Sequence, residues 1–269
     1  MISSPVVQSL RWLDILLEAN QVTRRISVLN FKGGVGKSSL ATNLAHALVR
    51  LGSTVLLIDC DFQANTSTLL ANVRPPTLTH VLKREALLTA AVQKARDRLF
   101  IVPSDNELDT ALPYVDKTHK HLLDHATQQL TQLDYIFFDH PPSYTNITEA
   151  GLLASEEVLI PCELTAFSMQ GLQTLFTKLA VKMSEYHHDL IIAGIVPYKF
   201  DLRYSMNVQY LPTLRQQYGT MVSHPIRTDA TVSRAQSLRQ TVYEYDPMSR
   251  VAHDFTRLAR QLAEQKMKF

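Results

Sequence analysis

The chain has only two cysteines, Cys60 and Cys162, in 269 residues. That is too few for a disulfide framework. Charge of one sign is also missing: 27 Lys and Arg face 25 Asp and Glu, a formal net charge of +2. Composition alone therefore announces no nucleic-acid surface, and any basic patch depends on placement, with the histidines adding charge only at mildly acid pH. No stretch reaches the ~20 apolar residues of a membrane span. The run from Leu190 to Pro197 has the length of a strand. Arg11, Asp14 and Glu18 stand where a signal peptide would have a basic segment and then an apolar core. There is no internal repeat or low-complexity tract. These absences predict a globular protein of a reducing cytoplasm, and the length suits one large α/β domain.

What is present is an alternation of short apolar runs with amphipathic helical patterns. Ile26 to Phe31, Val55 to Cys60, Leu99 to Pro103, Tyr135 to Phe138, Glu157 to Pro161, Leu190 to Pro197 and Met221 to His224 are predicted strands. Ser38 to Arg50, Thr118 to Gln132, Ser168 to Tyr186 and Val208 to Tyr218 are predicted helices. The first has Leu40, Leu44 and Leu48 on one face and Gly52 as its stop. Strands without clean alternation, separated by helices, predict a doubly wound α/β fold, a mostly parallel sheet flanked by helices. Val6 to Leu17, with Trp12, predicts a helix within an N-terminal extension over residues 1–25, ahead of a domain over 26–269. It either docks on that domain or meets a partner.

Between the first strand and the first helix lies Phe31-Lys32-Gly33-Gly34-Val35-Gly36-Lys37-Ser38-Ser39. Glycines let successive backbone N–H groups turn inward around phosphate oxygens, and the helix N-terminus adds its positive dipole end. Lys37 is placed for the β- and γ-phosphates and Ser38 for Mg²⁺. The strict pattern G-x-x-x-x-G-K-S/T fails at Phe31, and a second lysine, Lys32, precedes the glycine pair.

This K-G-G-x-G-K-S/T loop resembles the deviant Walker A loop of the ParA/MinD ATPases, ParA most closely. The resemblance runs over about residues 26–264. The family's D-x-D-P-Q-G-N motif is similar to Asp59-Cys60-Asp61-Phe62-Gln63-Ala64-Asn65, with Phe62 and Ala64 in place of Pro and Gly. Tyr135 to Asp139, followed by His140-Pro141-Pro142, resembles Walker B. Glu157 to Pro161, Gln170-Gly171-Leu172 and Tyr245-Asp246-Pro247 are similar to later ParA segments in the same order. Tyr198-Lys199-Phe200-Asp201 has the x-K-x-D form of a guanine-reading motif, but the family has a T-M-Y-D segment there and uses ATP.

The resemblance implies ATP and Mg²⁺ as cofactors, bound by Lys32, Gly33, Gly34, Val35, Gly36, Lys37, Ser38 and Ser39. It makes Ser38 the direct metal ligand, with Asp139 and Asp59 behind metal-bound water. Asp61 orients the attacking water, and Lys32 reaches the nucleotide of a second copy in an ATP-dependent homodimer. Asp59 has the alternative of a strand-end carboxylate satisfied by backbone donors. His140 either tunes the site's charge or is a packed histidine, and Cys60 is a small residue at a strand end. The implied function is a partner-stimulated ATPase on non-specific nucleoid DNA. It would act with a ParB-like centromere-binding protein or other adaptor to place a plasmid, a chromosome origin or a protein cargo. Arg203, Arg227 and Arg234 are the implied DNA contacts. A MinD-like membrane switch is the alternative. It would use the C-terminal stripe Val251, Phe255, Leu258, Ala259 and Leu262 with Lys266 and Lys268, which otherwise packs on the core.

Overall fold

The computed structural model describes residues 22–116 and 119–264. Most of the N-terminal extension, with Val6 to Leu17, and also Lys266 and Lys268 lie outside these residues. The strands are β1 (Arg24–Val28), β2 (Val55–Asp59), β3 (Gln93–Arg96), β4 (Leu99–Val102), β5 (Tyr135–Asp139), β6 (Glu157–Cys162), β7 (Ile191–Phe200) and β8 (Ile226–Arg227). They form one sheet in the order β3-β4-β2-β5-β1-β6-β7-β8. Every pairing is parallel except β3 with β4. The doubly wound fold expected from the alternation is the fold observed.

The helices are α1 (Lys37–Arg50), α2 (Asn65–Leu70), α3 (Leu78–Leu82), α4 (Leu88–Ala91), α5 (Leu122–Gln128), α6 (Asn146–Leu153), α7 (Ala166–Glu185), α8 (Ser205–Tyr218), α9 (Ala230–Ser237), α10 (Val242–Tyr245) and α11 (Arg250–Ala263). Both sheet faces are covered, as a parallel sheet requires. On one face Val55, Leu57 and Phe137 pack with Leu40, Leu44 and Leu48 of α1 and Phe255, Leu258 and Leu262 of α11. Leu56, Ile58 and Phe138 point the other way, toward Leu78 of α3, Leu123 of α5 and Ile147 of α6. The β6–β7 half is closed by Leu172, Leu175 and Leu179 of α7 and Leu214 of α8.

Several boundaries differ from those expected. β1 starts at Arg24, so the last two residues of the proposed extension belong to the sheet. Residues 29–31 instead form the approach to the loop. Arg24 pairs with Glu157 and Arg25 with Glu156 and Asp124, which draws these charged residues into the strand. Met221 closes a 3-10 turn, and the strand lies further on at Ile226–Arg227. β3 is polar and was not legible as a strand; it forms because it lies at the antiparallel edge of β4. The apolar stripe of α11 is fully buried against α1 and the sheet, so it offers no free face. No helix among the described residues is long and apolar enough to cross a membrane.

Candidate active site

The parallel register puts the carboxyl ends of β1, β2 and β5 side by side, with Asp59 and Asp139 as direct neighbours. The phosphate loop leaves β1 there. Asn30 ties its start to β6, donating to the Pro161 carbonyl at 2.8 Å and accepting from the Lys32 N–H at 2.9 Å. Gly36 is left-handed, with φ of 93°, and a Cβ there would lie 2.3 Å from the Tyr198 ring. Only glycine lets the loop lie on that tyrosine.

The two loop lysines are disposed differently. Lys37 is buried, and its ammonium donates to the Lys32 carbonyl at 3.3 Å. Burial pulls its pKa below the ordinary lysine range, against the opposing pull of Asp139 and Asp61. Lys32 is about half exposed and pairs with Glu163 at 2.8 Å.

Two carboxylates, Asp139 and Asp61, act on Lys37, and Asp59 lies beside Asp139 on the neighbouring strand. Asp139 Oδ2 accepts from the Thr66 hydroxyl at 2.7 Å, whereas its Oδ1 is buried without a donor among the described residues. Burial raises the Asp139 pKa, although the Ser38 and Thr66 hydroxyls favour its charged form. Burial and the neighbouring Asp139 likewise push Asp59 upward. Asp59 accepts from Ser67 N at 2.8 Å, Ser67 Oγ at 2.6 Å and Asp61 N at 3.1 Å. Its oxygens thus organise the following loop. Asp61, also buried, accepts from Gln63 N at 2.9 Å and faces the cavity. A buried carboxylate oxygen without a donor, beside a serine hydroxyl at a phosphate loop, fits an octahedral Mg²⁺ with its waters.

Ala64 adopts φ of 50°, so the loop keeps the left-handed turn that glycine makes most readily. For alanine that conformation costs on the order of 1 kcal/mol. Phe62 stands exposed beside it. His140 is fully buried, 2.7 Å from the Ser27 hydroxyl, and burial pushes its pKa down to about 3. It is therefore a neutral packed residue, and a Cβ on Gly151 would lie 2.5 Å from its ring. Cys60 and Cys162 are buried and free, and burial raises both thiol pKa values. Neither is a reactive thiolate.

The glycines of the loop, Lys37, Ser38, Ser39 and Asp61 line an open cavity of about 700 Å³. Its far wall is formed by Tyr198, Lys199, Arg227, Thr228, Asp229 and Gln236. Gln236 donates to Ser39 Oγ and so links α9 to the loop. The pattern x-K-x-D does not form a guanine clamp. Asp201 accepts from Arg203 N, Nε and Nη2 at 2.6–3.1 Å. Lys199 turns to Gly34 O and Glu163. Thr66, Ser67 and Glu163 were not singled out in the sequence. Only the D-x-D motif upstream of the first two hinted at a functional loop.

The three arginines separate. Arg203 and Arg234 are exposed, Arg203 with its Asp201 pair and Arg234 in the last turn of α9. Arg227 is partly exposed and ion-paired. Its Nε and Nη2 donate to both oxygens of buried Asp254 at 2.8 and 2.7 Å, and Nη2 also to Arg250 O. Arg227→Glu is expected to lower stability by about 1–3 kcal/mol, because it sets a carboxylate against a buried one. Arg234→Glu should stay within about 0.5 kcal/mol. Thermal or urea melts of both variants check this, and equal midpoints would contradict it.

Comparison with known proteins agrees with this fold. A family model described as an AAA domain matches residues 23–192. The chromosome partitioning protein ParA of Caulobacter vibrioides is 31% identical over 253 residues, covering 90% of this chain and 95% of the relative. The cell division protein PomZ of Myxococcus xanthus is 31% identical over 241 residues, covering 86% of this chain and 75% of the relative. An ATP complex of McdA from Cyanothece superposes with a TM-score of 0.78 at 22% identity, covering 91% of this chain and 97% of the other.

Proposed function

The chain belongs to the ParA/MinD family of P-loop ATPases, and from that premise we propose a nucleotide-switched dimer that uses ATP to partition or position a cargo on DNA. The observation that carries the reading is the split between the loop lysines, Lys37 buried in its own loop and Lys32 exposed beside it. A phosphate loop that served only its own nucleotide would need no second, outward lysine.

In this reading ATP lies in the cavity with its phosphates on Gly33 to Ser39, and Lys37 neutralises the terminal phosphates. Ser38 would hold Mg²⁺ directly and Asp139 through Oδ1 and water, while Asp59 shapes the loop that carries Thr66 and Asp61. Bound Mg²⁺ would supply positive charge that neutralises the phosphates. Asp61 orients the attacking water. Lys32 crosses to the partner's phosphates, a contact available only in the ATP dimer, and such differential contacts are what let a ligand shift an equilibrium. Two copies together double a weak basic surface that includes Arg203 and Arg234. A ParB-like centromere-binding protein or another adaptor would stimulate hydrolysis and supply the cargo. The named relatives serve chromosome partitioning and cell division, so the shared act is positioning. Nucleoid association follows from the DNA contact.

Sedimentation tests the switch. The protein is expected to be monomeric with ADP and dimeric with Mg²⁺ and a slowly hydrolysed ATP analogue, and Lys32→Ala is expected to remain monomeric with both. The same mass under every condition would remove the cross-subunit role. Anisotropy with random-sequence duplex DNA should show binding only in the dimeric state, falling steeply with salt and weakened by Arg203→Glu or Arg234→Glu.

A further inference from the structure

Three side chains from three adjacent strands meet beside the phosphate loop. Lys32 follows β1, Glu163 follows β6, and Lys199 lies near the end of β7. Glu163 gives one oxygen to each lysine: Oε2 accepts from Lys32 Nζ at 2.8 Å and Oε1 from Lys199 Nζ at 3.0 Å. Lys199 Nζ also donates to the Gly34 carbonyl at 2.6 Å. The Lys32 ammonium is held by Glu163 alone among the described residues. Burial works against the charge of Glu163, yet the hydrogen bonds from Lys32 and Lys199 hold its carboxyl below the ordinary glutamate range. Both contacts are therefore ion pairs.

A shared carboxylate changes what it costs to free Lys32. With one partner, departure of that partner would strand a largely covered anion, and stranding such a charge is unfavourable. With Lys199 on the other oxygen the anion stays paired. The two lysines are not equivalent, since Lys199 has a second anchor on the loop backbone and Lys32 does not. The lysine free to move is thus Lys32, and its exposure leaves the way open.

We propose that Lys199 is a positioning residue that keeps Glu163 paired when Lys32 swings out, and so sets how readily Lys32 is released toward a second copy. This rests on the cross-subunit reading of Lys32 given above. Lys199 is tied to Lys32 through no direct bond. Its effect passes through Glu163, and that gives the test its form.

Dimerisation of the full chain with Mg²⁺ and a slowly hydrolysed ATP analogue is measured by sedimentation for wild type, Lys199→Met, Lys199→Arg, Glu163→Gln and the Lys199→Met/Glu163→Gln double variant. ADP affinity of each is measured by calorimetry. Lys199→Met is expected to weaken dimerisation about fivefold, the scale of part-exposed ion pairs lost on two protomers. Lys199→Arg should restore most of it, and because Lys199 also lines the cavity, any change in ADP affinity should be clearly smaller than the change in dimerisation. In the Glu163→Gln background Lys199→Met should have no effect, because the carboxylate it serves is gone. Equal dimerisation of wild type and Lys199→Met overturns the inference. So does the same loss in both backgrounds, or a parallel loss of ADP affinity, which would make Lys199 a brace of the loop. A wild type that stays monomeric with the analogue overturns the cross-subunit reading, and this inference with it.

Discussion

Lys37→Ala is expected to weaken ATP binding by a factor of about 100 or more, on the scale of truncating one member of a buried charge pair. Two effects act in the same direction. The ammonium that would meet the terminal phosphates is removed. It is also the cation placed among Asp61 and Asp139, whose fields oppose the loss of its charge by burial. Without it those carboxylates face an incoming polyphosphate with no intervening positive charge from α1. Calorimetry with ATP and Mg²⁺ measures the change, and a thermal melt shows that the variant remains folded. Equal affinity would take Lys37 out of phosphate recognition. In the same titration GTP should bind the wild type more weakly than ATP, since the oxygens of Asp201 are occupied by Arg203.

Asp61→Ala is expected to leave ATP binding within a few-fold of wild type and to lower kcat by about 100- to 10,000-fold, the usual span for removing a positioned acid–base group. Asp61 faces the cavity from a loop, whereas the phosphate cradle is built on the β1–α1 connection, so the two functions are physically separate. Its hydrogen bond to Gln63 N fixes the side chain at the turn before α2. The variant should still form the ATP dimer and should hold it longer, because the hydrolysis that ends that state is slow. Phosphate release under single-turnover conditions, with sedimentation alongside, separates binding from chemistry. Unchanged hydrolysis would move the role elsewhere. Asp59 is poorly placed to take it, since it is fully buried and its oxygens already accept three hydrogen bonds.

Much of the site was legible because its core is local. A phosphate loop is nine consecutive residues from Phe31 to Ser39 between a strand and a helix, and glycine spacing alone dictates the backbone shape. The parallel sheet was legible for a similar reason, since strands buried on both faces read as continuous apolar runs. The edge strand Gln93–Arg96 escaped because its residues are polar and its pairing with β4 supplies the stabilisation that its composition does not. Met221 to His224 misled in the opposite sense. It is apolar enough for a strand, but the chain turns at Gly219, which has φ of 54°, and only Val222 bridges to Ile195.

By itself, then, the sequence determined the loop, the family, the alternation of strands and helices, and the two carboxylate motifs that end their strands. Each depends on neighbours a few residues apart, where covalent geometry and periodicity leave few options. The tertiary structure alone decided which distant charges meet. Glu163 lies 131 residues from Lys32 and 36 from Lys199, and they join only because β1, β6 and β7 are adjacent in the sheet. Arg227 reads as one more basic residue until α11 brings Asp254 within 2.7 Å of it. The same docking turned the C-terminal stripe inward, against α1 and the sheet. Side-chain charge is encoded residue by residue, but its partner is chosen by packing, and packing depends on the whole chain.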